Sequence, residues 1–118
     1  RKVVFLALAL MVAVVHAEER TPAFMQPEVL EAAAAINLNE AQQQLFRSAL
    51  GAFVEARMNA INKLMRGNNQ TGLPRKIKGK TNSLLKDMDA AMTDFMSEEQ
   101  VPAYENYRDK LKANLWGM

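Results

Sequence analysis

One long stretch of helical periodicity limits the folds open to this chain. Between about residues 39 and 66, apolar side chains recur every three or four positions in two neighbouring rows. This is the period of an α-helix with a wide apolar face, and nothing in the stretch alternates as a half-buried strand would. The first row is Ala41, Leu45, Ala49, Ala52 and Ala56, and the second is Phe46, Leu50, Phe53, Val54, Met58, Ile61 and Met65.

Three further helices are expected around this one, and no segment resembles a strand. Pro27 followed by EVLEAAAA suits a short helix, because proline is tolerated in a first turn. A third helix is predicted over about residues 74–96 and a fourth over about 97–115, with a polar turn at 67–74. The predicted fold class is all-α, an elongated bundle or hairpin of about four helices.

A chain of this size cannot cover both apolar rows of its long helix. The helix would be about 40 Å long at 1.5 Å per residue, whereas a compact domain of this size has a radius of gyration of only about 13 Å. A symmetric dimer would cover the remaining apolar surface. We therefore expect a homodimer.

The start of the chain has the pattern of a secretory signal. A basic beginning precedes an unbroken apolar run over residues 3–15, and small residues mark a cleavage position after Ala17. The run is shorter than the roughly 20 residues of a membrane-spanning helix. The expected division is a cleaved signal peptide at 1–17, a flexible leader at 18–27 and a single helical domain at 28–118.

Charge and cysteine content narrow the class of protein further. Cleavage would remove Arg1 and Lys2, so that the 15 basic side chains become 13 and equal the 13 acidic ones. A net charge near zero gives no general argument for binding nucleic acid. The chain has no cysteine, so packing rather than disulfides must hold an exported domain together. We expect a periplasmic protein.

The residue types of this chain give little support for catalysis or for a bound cofactor. The only histidine, His16, lies in the predicted signal peptide, so the commonest general base and the cysteine nucleophile are both missing after cleavage. Asp87, Asp89 and Asp94 form an acidic cluster of the kind that usually faces solvent. We predict no enzymatic activity and no cofactor.

The methionines offer one further ligand chemistry. Thioether sulfurs at Met88, Met92 and Met96 could hold Cu(I). The same three residues lie on the apolar face of the predicted third helix, where methionine ordinarily fills core space. We therefore predict packing roles for them and no metal site.

A five-residue pattern occurs twice, as LNEAQ at 38–42 and MSEEQ at 96–100. Each copy has the arrangement of a capping box, in which a short polar side chain and a glutamine three residues later satisfy each other's backbone N–H groups. The aliphatic residue before the cap can pack against the first turn. The predicted capping residues are Leu38, Asn39 and Gln42 in the first copy and Met96, Ser97 and Gln100 in the second. Marking two helix starts is a sufficient local explanation.

The pair of motifs resembles the LTxxQ motifs of the Spy/CpxP family of periplasmic proteins. Asn replaces Thr in the first copy and Met-Ser replaces Leu-Thr in the second, and both exchanges keep the capping chemistry. The resemblance covers about residues 36–115. It implies a cradle-like homodimer of long helices that acts as an ATP-independent chaperone or as an inhibitory subunit of an envelope-stress sensor.

Two features depart from that family pattern. Pro102 lies in the second turn after Ser97, where it removes an N–H, so the fourth helix is expected to be kinked or to begin a few residues later. The segment between the two motifs is also short for the family, which leaves the extent of a cradle open. Some relatives bind zinc, nickel or cobalt, but this chain would supply only carboxylates after cleavage. A metal-responsive role is therefore the weakest alternative.

Basic residues are concentrated in the middle of the chain. Residues 56–86 contain eight basic side chains and no acid, whereas 18–55 and 87–118 each sum to a charge of −4. In an antiparallel hairpin these cations would gather at one tip. Arg75, Lys76 and Lys78 stand at a helix start, where the dipole disfavours positive charge, which suggests a binding role. Solubility or intersubunit ion pairing would also account for them.

Together these features predict capture of unfolded or partner proteins on a mixed basic and apolar surface. An anionic membrane surface is a further expected partner, and nucleic acid is not. The alternatives are a regulatory subunit that docks on the periplasmic domain of a sensor kinase and a purely structural envelope protein. The candidate binding residues are Phe46, Phe53, Arg57, Met58, Arg75, Lys76, Lys78 and Lys80, with Met88 as a further apolar contributor.

Overall fold

The computed structural model describes residues 22–67 and 71–116, and all regular structure in these two ranges is helical. The all-α prediction is therefore confirmed for this part of the chain. The predicted signal peptide lies outside the described residues. The elements are a 3₁₀ turn at Ala23–Met25 and four α-helices, α1 (Pro27–Ala35), α2 (Glu40–Met65), α3 (Leu73–Thr93) and α4 (Val101–Trp116).

The predicted helix limits hold well for α2 and less well for the later helices. Helix α3 ends at Thr93 and α4 begins only at Val101. Pro102 accounts for the late start, because a helix running from residue 97 would need the missing proline N–H to bond the carbonyl of Glu98. In the first turn of α4 that N–H would have no helical partner in any case, so the proline is tolerated there.

The described residues separate into two compact units. The first unit comprises residues 22–43 and 96–116, and in it α1, α4 and the 3₁₀ turn pack against one another. Helix α4 contributes buried side chains at helical spacing, namely Tyr104, Tyr107, Leu111 and Leu115. The other buried apolar side chains of this unit come from the 3₁₀ turn, α1 and the residues just after α1: Ala23, Met25, Val29, Ala32, Ala33, Ile36 and Leu38.

Burial of Ala23 and Met25 corrects one expectation from the sequence. Both side chains are buried, although they fall in the segment predicted to be a flexible leader. The 3₁₀ turn explains the difference, since it directs two apolar side chains of a proline-flanked, aperiodic segment into the core. Periodicity cannot reveal a turn of three residues.

The second unit comprises residues 44–95 and contains most of α2 and all of α3. The two helices run antiparallel, because Arg57 contacts Thr81 while Lys63, nearer the turn on α2, shares a cavity with Lys76. Buried side chains recur at three- and four-residue steps on both helices: Phe46, Leu50 and Phe53 on α2, and Thr81, Leu85, Met88 and Met92 on α3. No helix in the described ranges is long and apolar enough to cross a membrane.

Candidate functional site

The first copy of the repeated motif forms the predicted capping box at the start of α2. The backbone N–H of Gln42 donates to Asn39 Oδ1 at 2.8 Å, and the backbone N–H of Asn39 donates to Gln42 Oε1 at 3.0 Å. The Asn39 carbonyl then accepts the first helical bond, from the N–H of Gln43. Leu38, before the cap, is buried. Two otherwise unpaired helix-start donors are thereby satisfied.

The second copy makes only half of this arrangement. The N–H of Ser97 donates to Gln100 Oε1 at 3.0 Å, as in the first copy. The N–H of Gln100, however, bonds the backbone carbonyl of Ser97, and within the described residues the Ser97 hydroxyl makes no hydrogen bond. Gln100 itself caps α4, since its carbonyl accepts from the N–H of Tyr104. The structure thus differs from the expectation that the Ser97 side chain caps a helix, because Pro102 delays the helix start.

The two motifs meet through their glutamines. Gln42 Nε2 donates to Gln100 Oε1 at 2.9 Å, and Gln100 Nε2 donates back to Gln42 Oε1 at 3.1 Å. Each Oε1 therefore accepts two hydrogen bonds, one from its own motif and one from the other motif. Both oxygens have used their acceptor capacity. This arrangement suits a structural link between the starts of α2 and α4 and leaves no oxygen for a ligand.

Two residues that the sequence did not single out complete the link. Asn37 has a left-handed backbone with φ of 64°, a conformation asparagine tolerates where a helix ends, and its carbonyl accepts a hydrogen bond from Gln100 Nε2 at 3.1 Å. Gln43 is buried and its Nε2 donates to the carbonyl of Leu38 at 3.2 Å. The sequence carried one usable signal, the asparagine directly after the aliphatic end of α1.

The candidate basic residues form an exposed cluster in the second unit. We call this cluster the basic tip. It lies on either side of the turn between α2 and α3, and none of its side chains is buried. With no acidic residue anywhere in 56–86, the tip is a surface of single charge sign. Its members are Lys63, Arg66, Arg75, Lys76, Lys78 and Lys80.

Arg57 differs from the members of the basic tip because it is half-buried. Its Nε donates to the buried Thr81 Oγ1 at 2.9 Å, which joins α2 to α3. Burial lowers the pKa of Arg57 from its ordinary value. No acidic side chain in the described ranges forms an ion pair with it. A desolvated guanidinium without a counter-charge raises the local positive potential.

The apolar candidates are placed differently from the expectation. Phe46 and Phe53 are only 6% and 4% exposed, and Met88 is also buried, so these three side chains belong to the core. Met58 is 56% exposed, as the binding hypothesis requires. Leu45 and Met65, which the sequence argument did not choose, are 48% and 52% exposed. Periodicity alone predicted the wide apolar face of α2 but not which of its edges would be covered.

Met58 belongs to a partly exposed row on α2 that we call the apolar strip. Its members follow at steps of four, three and four, which places them on one helix face. Met58 and Met65 are exposed, whereas Val54 and Ile61 are half-buried. Methionine side chains adapt to irregular surfaces. The strip consists of Val54, Met58, Ile61 and Met65.

An open surface cleft of about 560 Å³ lies between α2 and α3 at the basic tip. Ala60, Leu64 and Gly79 give it an apolar lining, and Ser83 completes one side. Three exposed lysines also line it, namely Lys63, Lys76 and Lys80. We call this space the tip cavity. It combines apolar surface with positive charge in one place.

One buried polar atom in the second unit lacks a partner. Asn82 Oδ1, on α3, makes no hydrogen bond to any described residue. No group of three His, Cys, Asp or Glu side chains in the described ranges is arranged to hold a metal ion. Of the three methionines weighed for copper, Met88 and Met92 are buried in the core.

Comparisons with known proteins add no relative. The sequence matched no protein-family model and no curated protein, and the structure matched no solved structure.

Proposed function

We propose that this protein is a periplasmic, ATP-independent chaperone of the Spy/CpxP type, which captures unfolded protein segments on the basic tip and the apolar strip. One observation carries the proposal: the exposed cations of a stretch that contains no acidic residue, 56–86, occur in the same helical hairpin as two methionines that are more than half exposed. The paired LNEAQ and MSEEQ motifs support the family resemblance.

The proposed mechanism has two stages. The basic tip attracts acidic segments of an unfolded chain, an effect that acts mainly on the association rate. The apolar strip then contacts exposed hydrophobic side chains, for which the flexible thioethers of Met58 and Met65 are suited. Exposed ion pairs are each worth only about 0–1 kcal/mol, so the captured segment can leave without an energy source.

Aggregation of unfolding clients tests this function. Light scattering should show that the protein suppresses aggregation of several unrelated model clients at near-stoichiometric ratios, without ATP. A regulatory subunit of a sensor kinase would instead bind one periplasmic sensor domain and leave every client to aggregate. Failure to suppress any client, together with tight binding to one sensor domain, would therefore replace the chaperone with the regulatory alternative.

Export and dimer formation are parts of the same proposal. Expression in a Gram-negative host should release a periplasmic product that begins at Glu18, which N-terminal sequencing can establish. Leu45, an exposed apolar side chain outside the apolar strip, is surface that a second copy would cover. Sedimentation equilibrium should give a dimer mass at micromolar concentration, and a monomer mass throughout that range would contradict dimerisation.

A further inference from the structure

We propose that the tip cavity binds a single-chain anionic amphiphile, with the acyl chain of a fatty-acid-type carboxylate against Ala60, Leu64 and Gly79 and its carboxylate among Lys63, Lys76 and Lys80. This small-molecule site does not depend on the proposed chaperone function, and each can fail without the other.

The size and lining of the tip cavity support an acyl ligand. Its volume of about 560 Å³ falls in the range of roughly 300–1,000 Å³ typical of small-molecule sites. Such sites are mostly apolar and carry a few polar groups that orient the ligand. Ala60, Leu64, Gly79 and the lysine stems supply the apolar lining, and the ammonium groups of the three lysines are the charges carried by its lining residues.

Gly79 leaves room that another residue would occupy. A Cβ built on Gly79 meets no atom within 4 Å, although the residue lies inside helix α3 and lines the cavity. Glycine is less favourable than alanine in a helix interior. Without a side chain, Gly79 leaves its part of the cavity lining unobstructed.

The positive charges around the tip cavity favour an anionic ligand. Lys63, Lys76 and Lys80 line the cavity, and no acid occurs in residues 56–86. One helical turn before Ala60, the half-buried Arg57 adds positive charge that no described acid neutralises. Lysine is a point charge on a flexible apolar stem, so the stems can lie along an acyl chain while the ammonium groups meet its anionic end.

A protein segment fits these observations less well than an acyl chain. The tip cavity combines a mostly apolar lining with three cations, which matches one ligand with a long apolar chain and a single anionic end. Acidic side chains of a second copy would bring charge without filling the apolar part. The test below nevertheless includes the second copy as an outcome.

Decanoate below its micelle-forming concentration is the probe, with calorimetry and backbone amide shifts as readouts. We expect saturable binding of one decanoate per chain and amide shifts concentrated at Gly79 and Ser83. Decyltrimethylammonium keeps the chain but reverses the head charge, and it should bind at least tenfold more weakly. Butyrate keeps the carboxylate but shortens the chain, and it should not bind measurably.

Variants locate the site. Gly79→Leu should place a branched side chain against the lining of the tip cavity and weaken decanoate binding at least tenfold. Gly51→Leu is its matched control, because Gly51 is also an exposed helical glycine with nothing within 4 Å of a built Cβ but does not line the cavity. Lys76→Gln with Lys80→Gln should also weaken binding, whereas Lys86→Gln, an exposed lysine outside the lining, should not.

Several results would overturn the site. These are unchanged decanoate binding to a folded Gly79→Leu variant, equal affinity for the cationic amphiphile, or uptake of many decanoates without saturation. If the Gly79 amide shift changes with protein concentration in the absence of decanoate, a second copy of the chain occupies the cavity. This result would also overturn the amphiphile site. If Gly79→Leu does not fold, the decanoate affinity of the Lys76→Gln, Lys80→Gln double variant is compared with that of Lys86→Gln. Equal affinities would overturn the site.

Discussion

The side-chain amides of Gln42 and Gln100 donate hydrogen bonds to each other at 2.9 and 3.1 Å, across 58 positions of the sequence. Each glutamine also accepts a hydrogen bond from the backbone N–H three residues before it. One five-residue pattern therefore serves both local and long-range structure. Within each motif the glutamine bonds the backbone N–H three residues earlier, and between the motifs the two glutamines join them within the first unit. This explains why the chain repeats the pattern.

Removing one glutamine should leave the other amide without its partner. Gln42→Ala and Gln100→Ala should each lower the free energy of unfolding by about 1–3 kcal/mol, because a half-buried polar group loses its hydrogen bonds. The double variant should cost less than the sum of the two, with a coupling of about 0.5–3 kcal/mol. Chemical denaturation of all four proteins measures this cycle.

Gln44→Ala is the matched control for the glutamine pair. Gln44 is an exposed glutamine on the same helix, so its replacement should change the free energy of unfolding by no more than about 0.5 kcal/mol. Strictly additive costs of Gln42→Ala and Gln100→Ala would show that the two amides do not depend on each other.

The two motif copies should respond differently to loss of their capping side chains. Asn39→Ala removes the Oδ1 that accepts the Gln42 N–H and should cost about 1 kcal/mol of stability. Ser97→Ala removes a hydroxyl without a hydrogen bond in the described residues and should change stability by less than about 0.5 kcal/mol. Equal losses would mean that Ser97 caps a helix after all.

The sequence predicted the helical class, the limits of α2 and the first capping box, because periodicity and local hydrogen bonding determine them. It could not predict the Gln42–Gln100 pair, since a contact across 58 positions depends on how the helices pack. Nor could it separate buried Phe46 from exposed Leu45, which are neighbours on one wide apolar face. The delayed start of α4 was foreseeable from Pro102, but its consequence for the Ser97 side chain was not.

Tyr107 should make the fold sensitive to alkaline pH. Burial raises the pKa of Tyr107 well above its ordinary value of 10.0, because the phenolate is poorly solvated in the core. The unfolded chain releases this proton near pH 10 and the folded chain does not. The stabilising contribution is therefore complete below that pH and falls as pH rises above it.

Tyr107→Phe removes this dependence. Compared with the variant, the original protein should lose up to about 1.4 kcal/mol more stability for each pH unit above 10. Denaturant unfolding between pH 8 and pH 11 measures the difference. Parallel pH profiles of the two proteins, or ionisation of Tyr107 in the folded state detected by its absorbance, would contradict the assignment.

The unpartnered Asn82 Oδ1 should be a source of instability. Asn82→Leu replaces a buried oxygen without a hydrogen bond by apolar atoms, and it should raise the free energy of unfolding by about 1–3 kcal/mol. Asn62→Leu, at an exposed position of α2, reports the change in helix propensity alone. Equal effects of the two substitutions would show that Asn82 Oδ1 has a partner in solution.

The basic tip is tested by charge reversal at Arg75, Lys76, Lys78 and Lys80. Changing all four to Glu should keep the helix, since acidic residues suit a helix start, and circular dichroism can check this. Arg47→Glu with Lys110→Glu, which reverses exposed charges outside residues 56–86, is the control. Gly79→Leu, which obstructs part of the tip cavity, should leave client capture unchanged and so keeps the two proposals separate.

Light scattering of an acidic unfolding client, at low and at high salt, is the most direct measurement of the proposed capture. The account predicts that the fourfold reversal weakens suppression of aggregation at low salt while the control variant does not. The difference should shrink as salt rises, because the Debye length falls from about 30 Å at 0.01 M to about 3 Å at 1 M. Undiminished suppression at low salt by the folded fourfold variant would contradict a role for the basic tip in capture.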